Sequence, residues 1–272
     1  MLKEKHIMKI AILGVGNLGY SIAVGILDKK KDMNCKALYL TKRNLSSIEH
    51  LGKLSVVKLT ADNKRAVKYS DVVIIAVLPS QLKKVLEEIK DQVDPNNHTI
   101  ISVATGREIE EIEAVLGQDV PIIRAMPNTA ISVGESMTCL SGNALGNKNM
   151  TCAKSIFNAL GQTLSIAEKH MQAATVICAS GIAFWMRLIR ATTQGAVQLG
   201  FHSNEAQKLS MQTCLGAAKL LIDSQSHPEQ EIDKVTTPSG CTIEGLNEME
   251  HNGLSSSLIQ GLVASYQKIN EI

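Results

Sequence analysis

The sequence predicts an α/β fold in which a doubly wound sheet is followed by an all-α domain. Short β-branched runs alternate with helical segments through the first half of the chain, starting at residues 8–13. A glycine-rich turn at residues 14–19 directly follows the first run, and from residue 170 onward only helical stretches occur. Strands that alternate with helices form a parallel sheet with helices on both faces. The first domain is therefore predicted to be of the Rossmann type.

The elements of the first domain follow from composition and periodicity. The run at residues 71–77 is almost continuously β-branched and apolar, which is typical of a strand buried on both faces. Ligands of such sheets bind beyond the carboxyl ends of the strands, so we expect the site there. The predicted strands are residues 8–13, 37–41, 56–59, 71–77, 99–103 and 120–124, and the predicted helices are 21–27, from Asn44 onward, 81–93 and 108–116.

The second half of the chain is predicted to be a helical dimerisation domain. Its first helix is apolar nearly all round, which requires burial by another subunit or by the rest of the domain. The apolar core of that helix, residues 173–186, is shorter than the roughly 20 residues of a membrane span and is followed by Arg187 and Arg190. We therefore expect two domains, residues 1–167 and 168–272, and no membrane partner. The predicted helices are residues 170–199, 204–224, 228–235, 242–250 and 254–269.

The net charge and the cysteine spacing indicate which kinds of partner and which cellular compartment to expect. The net charge is +2 over 272 residues, which gives no reason to expect a nucleic-acid partner. Six cysteines are scattered without metal-ligand spacing, so we expect free thiols, no metal and a reducing compartment. The apolar run at residues 7–15 is too short for a signal peptide. The protein is predicted to be cytoplasmic.

The glycine turn predicts a dinucleotide site. A strand precedes it and a helix follows it, which is the context in which this motif binds a pyrophosphate. Gly14 would form the tight turn, Gly16 would let the backbone approach the phosphates, and Gly19 would let helix and strand pack closely. The helix start at Asn17 and Leu18 adds free N–H groups and a positive dipole end.

The end of the second strand predicts which dinucleotide binds. A carboxylate there would accept a hydrogen bond from the ribose 2′-hydroxyl and repel a 2′-phosphate. This chain instead has Thr41, Lys42 and Arg43, and an arginine can bind a phosphate through two hydrogen bonds. NADPH is the predicted cofactor, with NADH as the alternative.

A second anion site is predicted at residues 235–246. A Pro-Ser-Gly turn among threonines runs directly into a helix. Free N–H groups of Gly240, Cys241 and Thr242, beside hydroxyl groups, would suit an anion the size of a carboxylate. The alternative is an ordinary helix start that Ser239 or Thr242 caps.

The segment Val235-Thr236-Thr237-Pro238-Ser239-Gly240-Cys241-Thr242-Ile243 resembles the helical-domain signature of the pyrroline-5-carboxylate reductases, with Ser239 where glycine is usual. The resemblance extends over nearly the whole chain. Its other motifs, in order, are Ala61-Asp62-Asn63, Ala76-Val77-x-Pro79, Ser102-Val103-Ala104, Arg124-x-Met126-Pro127-Asn128-Thr129, Gly134-Glu135 and Ser180-Gly181.

The resemblance implies reduction of Δ1-pyrroline-5-carboxylate to L-proline, an intertwined helical dimer and often a ring of dimers. It implies that the Gly240–Thr242 amides, with Thr237, hold the substrate carboxylate, and that the Thr242 hydroxyl lies against the imine nitrogen. The family's proline and tyrosine in the Ser-Gly-Pro-Ala-Tyr motif are replaced here by Ile182 and Phe184. The cofactor contacts expected beyond the glycine turn are Asn63, Ala76, Val77, Pro79 and Ala104.

Two other functions fit a Rossmann domain followed by a helical domain. A β-hydroxyacid dehydrogenase needs a lysine in the first long helix of the second domain, and residues 171–207 contain none. A non-catalytic NADPH-binding regulator would not need the Thr236–Thr242 loop. A protonated cyclic imine is already a strong electrophile, so the enzyme's main task is to position the reactants. Thr242 is the candidate catalytic residue.

Overall fold

The computed structural model describes residues 8–29 and 34–271, so that Ile7, the first residue of the N-terminal apolar run, lies outside it. The chain forms two compact units. The first runs to residue 179 and includes the C-terminal residues from 268 onward, and the second is residues 180–267. The domain boundary between residues 167 and 168 stays a prediction.

An eight-stranded sheet with the order β3-β2-β1-β4-β5-β6-β7-β8 organises the first unit. The first six strands are mutually parallel wherever they pair. This arrangement confirms the predicted Rossmann-type α/β class. The strands are β1 Met8–Leu13, β2 Cys35–Thr41, β3 Val57–Thr60, β4 Val72–Ile75, β5 Thr99–Ser102, β6 Ile122–Met126, β7 Ser136–Gly142 and β8 Gly161–Ser165.

The last two strands were not predicted, and β7 runs antiparallel to β6. The sheet is therefore parallel from β1 to β6, as predicted, and becomes mixed at β7. Strand β7 lacks a β-branched apolar run, and its buried polar residues include Ser136 and Thr138. Their hydroxyl groups lie 3.3 Å apart, and the Ser136 hydroxyl accepts a hydrogen bond from the Asn128 N–H at 3.1 Å. Mutual hydrogen bonding lets these polar side chains occupy a buried strand.

The helix predicted from Asn44 onward is a 3₁₀ helix, Ser46–Lys53. Residues three apart eclipse in a 3₁₀ helix, which places Ile48 and Leu51 together on its buried face. The α-helices of this region are α1 Asn17–Asp28, α2 Asn63–Lys68, α3 Leu82–Ile89, α4 Ile109–Leu116, α5 Ala144–Lys148 and α6 Met150–Asn158.

Alternate side chains of β1 support two separate cores. Ile10 and Ile12 belong to the core that includes buried residues of α1 and α6. Ala11 and Leu13 belong to the core that includes residues of α2, α3 and α4. Successive side chains of a strand point to opposite faces. Strand β4 is therefore apolar throughout because both of its faces are covered.

The remaining helices follow β8. The predicted continuous helix at residues 170–199 is interrupted by a π-helical turn, Thr175–Ser180. Such turns are common at functional sites. The helices are α7 Met171–Ala174, α8 Gly181–Gln198, α9 Ser203–Ser224, α10 Pro228–Val235, α11 Cys241–His251 and α12 Leu254–Ile269.

The helical unit exposes much apolar surface. Helix α8 packs against α9, yet only Gly181 and Thr193 of α8 are buried. Trp185 is 58% exposed and Leu199 is 83% exposed. The helical stretch Glu168–Gln198 has the length and mean hydropathy (1.4) to cross a membrane, judged on length and composition alone. The chain itself buries 17% of that apolar window.

Candidate active site

The register of the sheet aligns the carboxyl ends of its central strands. Leu13 lies beside Thr41 on one side and beside Ile75 on the other. Ile75 in turn lies beside Ser102. The residues that follow these strands therefore meet at one edge of the sheet, as the sequence predicts.

Gly14 makes the sharp turn after β1. Its φ is +89°, a region that favours glycine. A Cβ at this position would collide with the Val77 side chain and lie 3.0 Å from the Ala76 carbonyl oxygen. The Gly14 N–H donates to the carbonyl and hydroxyl oxygens of Thr41, each at 3.2 Å. The turn is thus fixed from both sides by the ends of β2 and β4.

The next part of the turn is open. No heavy atom lies within 4 Å of the position that a Cβ on Gly16 would take. In the part of the chain that the structure describes, the N–H groups of Asn17, Leu18 and Gly19 have no acceptor. A bare backbone and three free amides at the start of α1 fit the pyrophosphate of a dinucleotide.

Gly19 closes the turn against the sheet. A Cβ there would lie 2.6 Å from the Gly14 carbonyl oxygen and 3.3 Å from the Ala76 Cβ. The Ala76 N–H donates to the Leu13 carbonyl at 2.8 Å. The close packing of helix and strand that the motif predicts is present.

Thr41 lies beneath the turn and is 2% exposed. Its hydroxyl donates to Asn63 Oδ1 at 2.6 Å, and Asn63 Nδ2 donates to Glu88 Oε2 at 3.1 Å. We call these three side chains the Thr41 brace. The Thr41 hydroxyl is already used within the protein. Glu88 lies on a different helix, and nothing in the sequence connects it with Asn63.

The two cations after Thr41 differ in their surroundings. Lys42 is half-buried, and its Nζ donates to the Ser47 hydroxyl at 2.7 Å. Arg43 is exposed and has no polar partner within residues 8–29 and 34–271. Of the two cations, Arg43 is therefore the one that no described residue engages and that can bind an added phosphate.

The ends of β4 and β5 complete this edge of the sheet. Val77 and Pro79 are half-buried, and Leu78 between them is 65% exposed. Ala104 is 4% exposed, and its N–H lies 3.3 Å from the Ser102 hydroxyl. The segment 76–79 therefore offers surface to a ligand, whereas Ala104 lies mainly in the core.

The second predicted site lies where α10 passes into α11. The N–H of Gly240 donates to the Thr237 carbonyl at 2.9 Å, so the prediction of a free N–H on this residue is wrong. A tight turn consumes it. A Cβ on Gly240 would contact the Thr237 hydroxyl. The preceding residue, Ser239, has a φ of +57°, which explains why glycine is usual at this position in the related family.

The amides after Gly240 are free. Among the described residues, the N–H groups of Cys241, Thr242 and Ile243 have no acceptor. Ile243 thus takes the place of Gly240 in the predicted set of three. The Thr242 side chain is half-buried, and its hydroxyl has no partner among those residues. The same part of the chain contains no cluster of three metal-ligating side chains.

A Rossmann-type sheet with an open glycine turn, in a chain that continues into a helical unit, defines the class of nicotinamide-dependent oxidoreductases. Two family models match the chain. The model for the pyrroline-5-carboxylate reductase dimerisation domain matches residues 168–272. The model for coenzyme F420-dependent NADP oxidoreductases matches residues 9–106.

The chain is similar to curated reductases along almost its whole length. It is 47% identical to pyrroline-5-carboxylate reductase 1 of Dictyostelium discoideum over 95% of this chain, and it spans about half (49%) of that protein's length. It is 44% identical to pyrroline-5-carboxylate reductase 2 of the same organism, over 97% of this chain and 93% of that one. The chain belongs to the pyrroline-5-carboxylate reductase family.

Solved structures support the same conclusion. A pyrroline-5-carboxylate reductase of Coxiella burnetii is 31% identical, with a TM-score of 0.88 over 98% of both chains. The fold is also that of a Plasmodium falciparum pyrroline carboxylate reductase solved with NADP bound, which is 24% identical, with a TM-score of 0.86 over 97% of both chains. The predictions of the family, of an oxidoreductase and of a nicotinamide cofactor are confirmed, and residues 168–272 form a region for association between copies.

Proposed function

We propose that this protein reduces the C=N bond of Δ1-pyrroline-5-carboxylate to give L-proline, the last step of proline biosynthesis, with NADPH as the preferred cofactor. The observation that carries the substrate assignment is the start of α11. It presents three amides, next to the Thr242 hydroxyl in the chain, that have no acceptor in the part of the chain that the structure describes. Family membership supports the same reaction.

In this proposal, one helix start binds the cofactor and another binds the substrate. The amides of Asn17, Leu18 and Gly19 would hold the pyrophosphate, and the open side of Gly16 would let it approach the backbone. When bound, the reduced nicotinamide supplies the hydride. The amides of Cys241, Thr242 and Ile243 would hold the substrate carboxylate.

Thr242 is the one residue to which we assign a role at the reacting bond. Its hydroxyl would donate a hydrogen bond to the imine nitrogen, withdraw electron density from the C=N bond and so make its carbon more electrophilic. Thr242→Ala is expected to lower kcat on the order of 10²-fold. Steady-state oxidation of NADPH in the presence of Δ1-pyrroline-5-carboxylate measures this.

Two variants control the experiment. Thr242→Ser keeps the hydroxyl and should retain most of the activity. Thr236→Ala removes a neighbouring hydroxyl that donates to the Ile232 carbonyl at 2.8 Å, and kcat should change little. Full turnover by Thr242→Ala would remove Thr242 from the mechanism. Tight NADPH binding by the wild-type protein without any oxidation would instead favour a regulatory protein.

The preference for NADPH over NADH is assigned to Arg43. An exposed guanidinium that has no partner among the described residues can bind a 2′-phosphate, whereas the Lys42 ammonium already contacts Ser47. Arg43→Ala should raise the KM for NADPH about tenfold and leave that for NADH unchanged. Lys42→Ala serves as the comparison and should have the smaller effect. Equal loss with both cofactors would show that Arg43 does not read the 2′-phosphate.

The apolar surface of the helical unit supports association as a homodimer. Trp185, Met186 and Leu199 are mostly exposed in the single chain, and exposed apolar surface of this kind marks an interface. We propose that a second copy of the chain covers this apolar surface. We also propose that a ring of dimers is the larger assembly. The protein would act in the cytoplasm, without a membrane or nucleic-acid partner. Light scattering and cell fractionation test these points.

A further inference from the structure

The Thr41 brace continues the hydrogen bonds of the glycine turn to a carboxylate on α3. The Gly14 N–H lies 3.2 Å from the Thr41 hydroxyl oxygen. That hydroxyl lies 2.6 Å from Asn63 Oδ1, and Asn63 Nδ2 lies 3.1 Å from Glu88 Oε2. Three consecutive hydrogen bonds therefore connect Glu88 with the turn at residues 14–19.

The two ends of this series determine the direction of every hydrogen bond in it. A backbone N–H can only donate, so the Thr41 hydroxyl oxygen accepts from Gly14. The hydroxyl hydrogen is then left for Asn63 Oδ1, which can only accept. A carboxylate can only accept, so Glu88 takes the Nδ2 side of the amide. The donor at one end and the acceptor at the other thus hold the Asn63 amide in one of its two orientations.

Glu88 makes no other polar contact in the part of the chain that the structure describes. No described lysine, arginine or histidine pairs with its half-buried carboxylate, and its hydrogen bond is the one from Asn63. The adjacent Glu87 is exposed and pairs with Lys90 at 2.9 Å. A partly desolvated carboxylate needs a hydrogen-bond donor. Glu88 and Asn63 therefore satisfy each other, whereas Glu87 is an ordinary surface carboxylate.

This orientation leaves one Asn63 donor unused. Nδ2 carries two hydrogens, and one of them has Glu88 as its acceptor. The other has no acceptor within residues 8–29 and 34–271. Asn63 is half-buried at the start of α2, just after the end of β3, and that end lies beside Thr41. The amide thus keeps an N–H for a ligand oxygen at the edge of the sheet where the dinucleotide is expected.

We propose that Glu88 is a positioning residue of the dinucleotide site and acts through Asn63 and Thr41 on the turn at residues 14–19. The inference rests on the assignment of the cofactor phosphates to that turn. We assign Glu88 no contact with the cofactor and no part in hydride transfer. Its carboxylate fixes the Asn63 amide, which fixes the Thr41 hydroxyl against Gly14. Cofactor binding, rather than the chemical step, should therefore respond to its removal.

The first experiment measures cofactor binding without substrate. Glu88→Met keeps the length of the side chain and removes the carboxylate. Fluorescence titration should show the Kd values for NADPH and NADH both raised about tenfold, because the two cofactors share the pyrophosphate. Glu87→Met, the matched control, should change neither Kd. Glu88→Gln keeps an acceptor oxygen and should stay within about threefold of the wild type.

This binding experiment also separates the inference from the proposed reaction. A protein that binds NADPH but does not reduce Δ1-pyrroline-5-carboxylate would contradict the reaction and leave the Glu88 test intact. Where turnover is measured, Glu88→Met should raise the KM for the cofactor at nearly unchanged kcat. Glu88→Ala, which favours the helix, should give the same results and replaces Glu88→Met if that variant fails to fold.

A double-mutant cycle distinguishes positioning from a general loss of stability. Thr41→Val already breaks the series of hydrogen bonds, so Glu88→Met added to it should raise the Kd by less than about twofold further. In the cofactor-free protein, hydrogen exchange of the Gly14 and Val15 amides should quicken about tenfold in Glu88→Met and stay unchanged in Glu87→Met. An unchanged Kd in Glu88→Met, or a tenfold loss that persists in full beside Thr41→Val, would overturn the proposal.

Discussion

The two candidate anion sites both lie at the start of a helix, but the contacts that hold their turns in place differ. The turn of residues 14–19 is fixed by hydrogen bonds to Thr41 and by close packing on Ala76. The turn of residues 237–240 is mostly exposed, and within it the Gly240 N–H donates to the Thr237 carbonyl at 2.9 Å. The first site is thus preorganised by its own sheet. The second depends more on its local backbone conformation.

Backbone conformation shows the same difference. At the first turn, the position with positive φ is occupied by glycine, which adopts it without strain. At the second turn, Ser239 adopts a left-handed conformation, which costs a non-glycine residue about 1–2 kcal/mol. Sequence motifs therefore locate both sites. The positive φ of a non-glycine residue, which strains the second turn, is known only from the structure.

Gly14→Ala should give the largest effect. The added Cβ would meet the Val77 side chain and the Ala76 carbonyl at a positive φ, so the turn must shift. We expect a loss of about 3 kcal/mol or more in the free energy of unfolding, together with loss of NADPH binding. Denaturant unfolding and a fluorescence titration with NADPH measure the two effects.

Gly16→Ala is the matched control for that substitution. A Cβ there has no neighbour within 4 Å, so stability should change by less than about 0.5 kcal/mol. NADPH affinity should still fall about tenfold, because the methyl group would occupy the space that the pyrophosphate needs. If Gly16→Ala binds NADPH normally, the phosphates do not cross this turn.

Thr41→Val should have an intermediate effect. It removes the hydroxyl that donates to Asn63 and accepts from Gly14 while it keeps the shape of the side chain. Buried groups that lose their partners cost about 1–3 kcal/mol. We expect about 2 kcal/mol of lost stability and a raised KM for NADPH at nearly unchanged kcat. Thr41→Ser should restore both quantities, and a Thr41→Val protein as stable as the wild type would show that the Thr41 brace is unimportant.

The sequence predicts the features that depend on neighbouring residues and misses those that depend on contacts between residues far apart in the chain. Strands β1 to β6 and the glycine turn are encoded by local runs, so periodicity finds them. Strand β7 has no apolar run because Ser136 and Thr138 satisfy each other inside the fold. The bond from Asn63 to Glu88 joins residues 25 apart, and no spacing predicts it. The prediction of a free amide at Gly240 is wrong because its N–H donates to the Thr237 carbonyl within the turn, a hydrogen bond that the motif does not reveal.

Ser239→Gly should give the smallest effect and the opposite sign. Glycine relieves the left-handed strain at φ +57°, but it also makes the unfolded chain more flexible. The balance should be a gain of about 0.5 kcal/mol in the free energy of unfolding, with kcat changed less than about twofold because no functional group is lost. Ser239→Val, the control, should destabilise the protein by about 1 kcal/mol, since a β-branched residue tolerates this conformation poorly. A loss of stability in Ser239→Gly would mean that the Ser239 hydroxyl stabilises the turn by more than the strain costs. The second turn would then be held as firmly by its own contacts as the first.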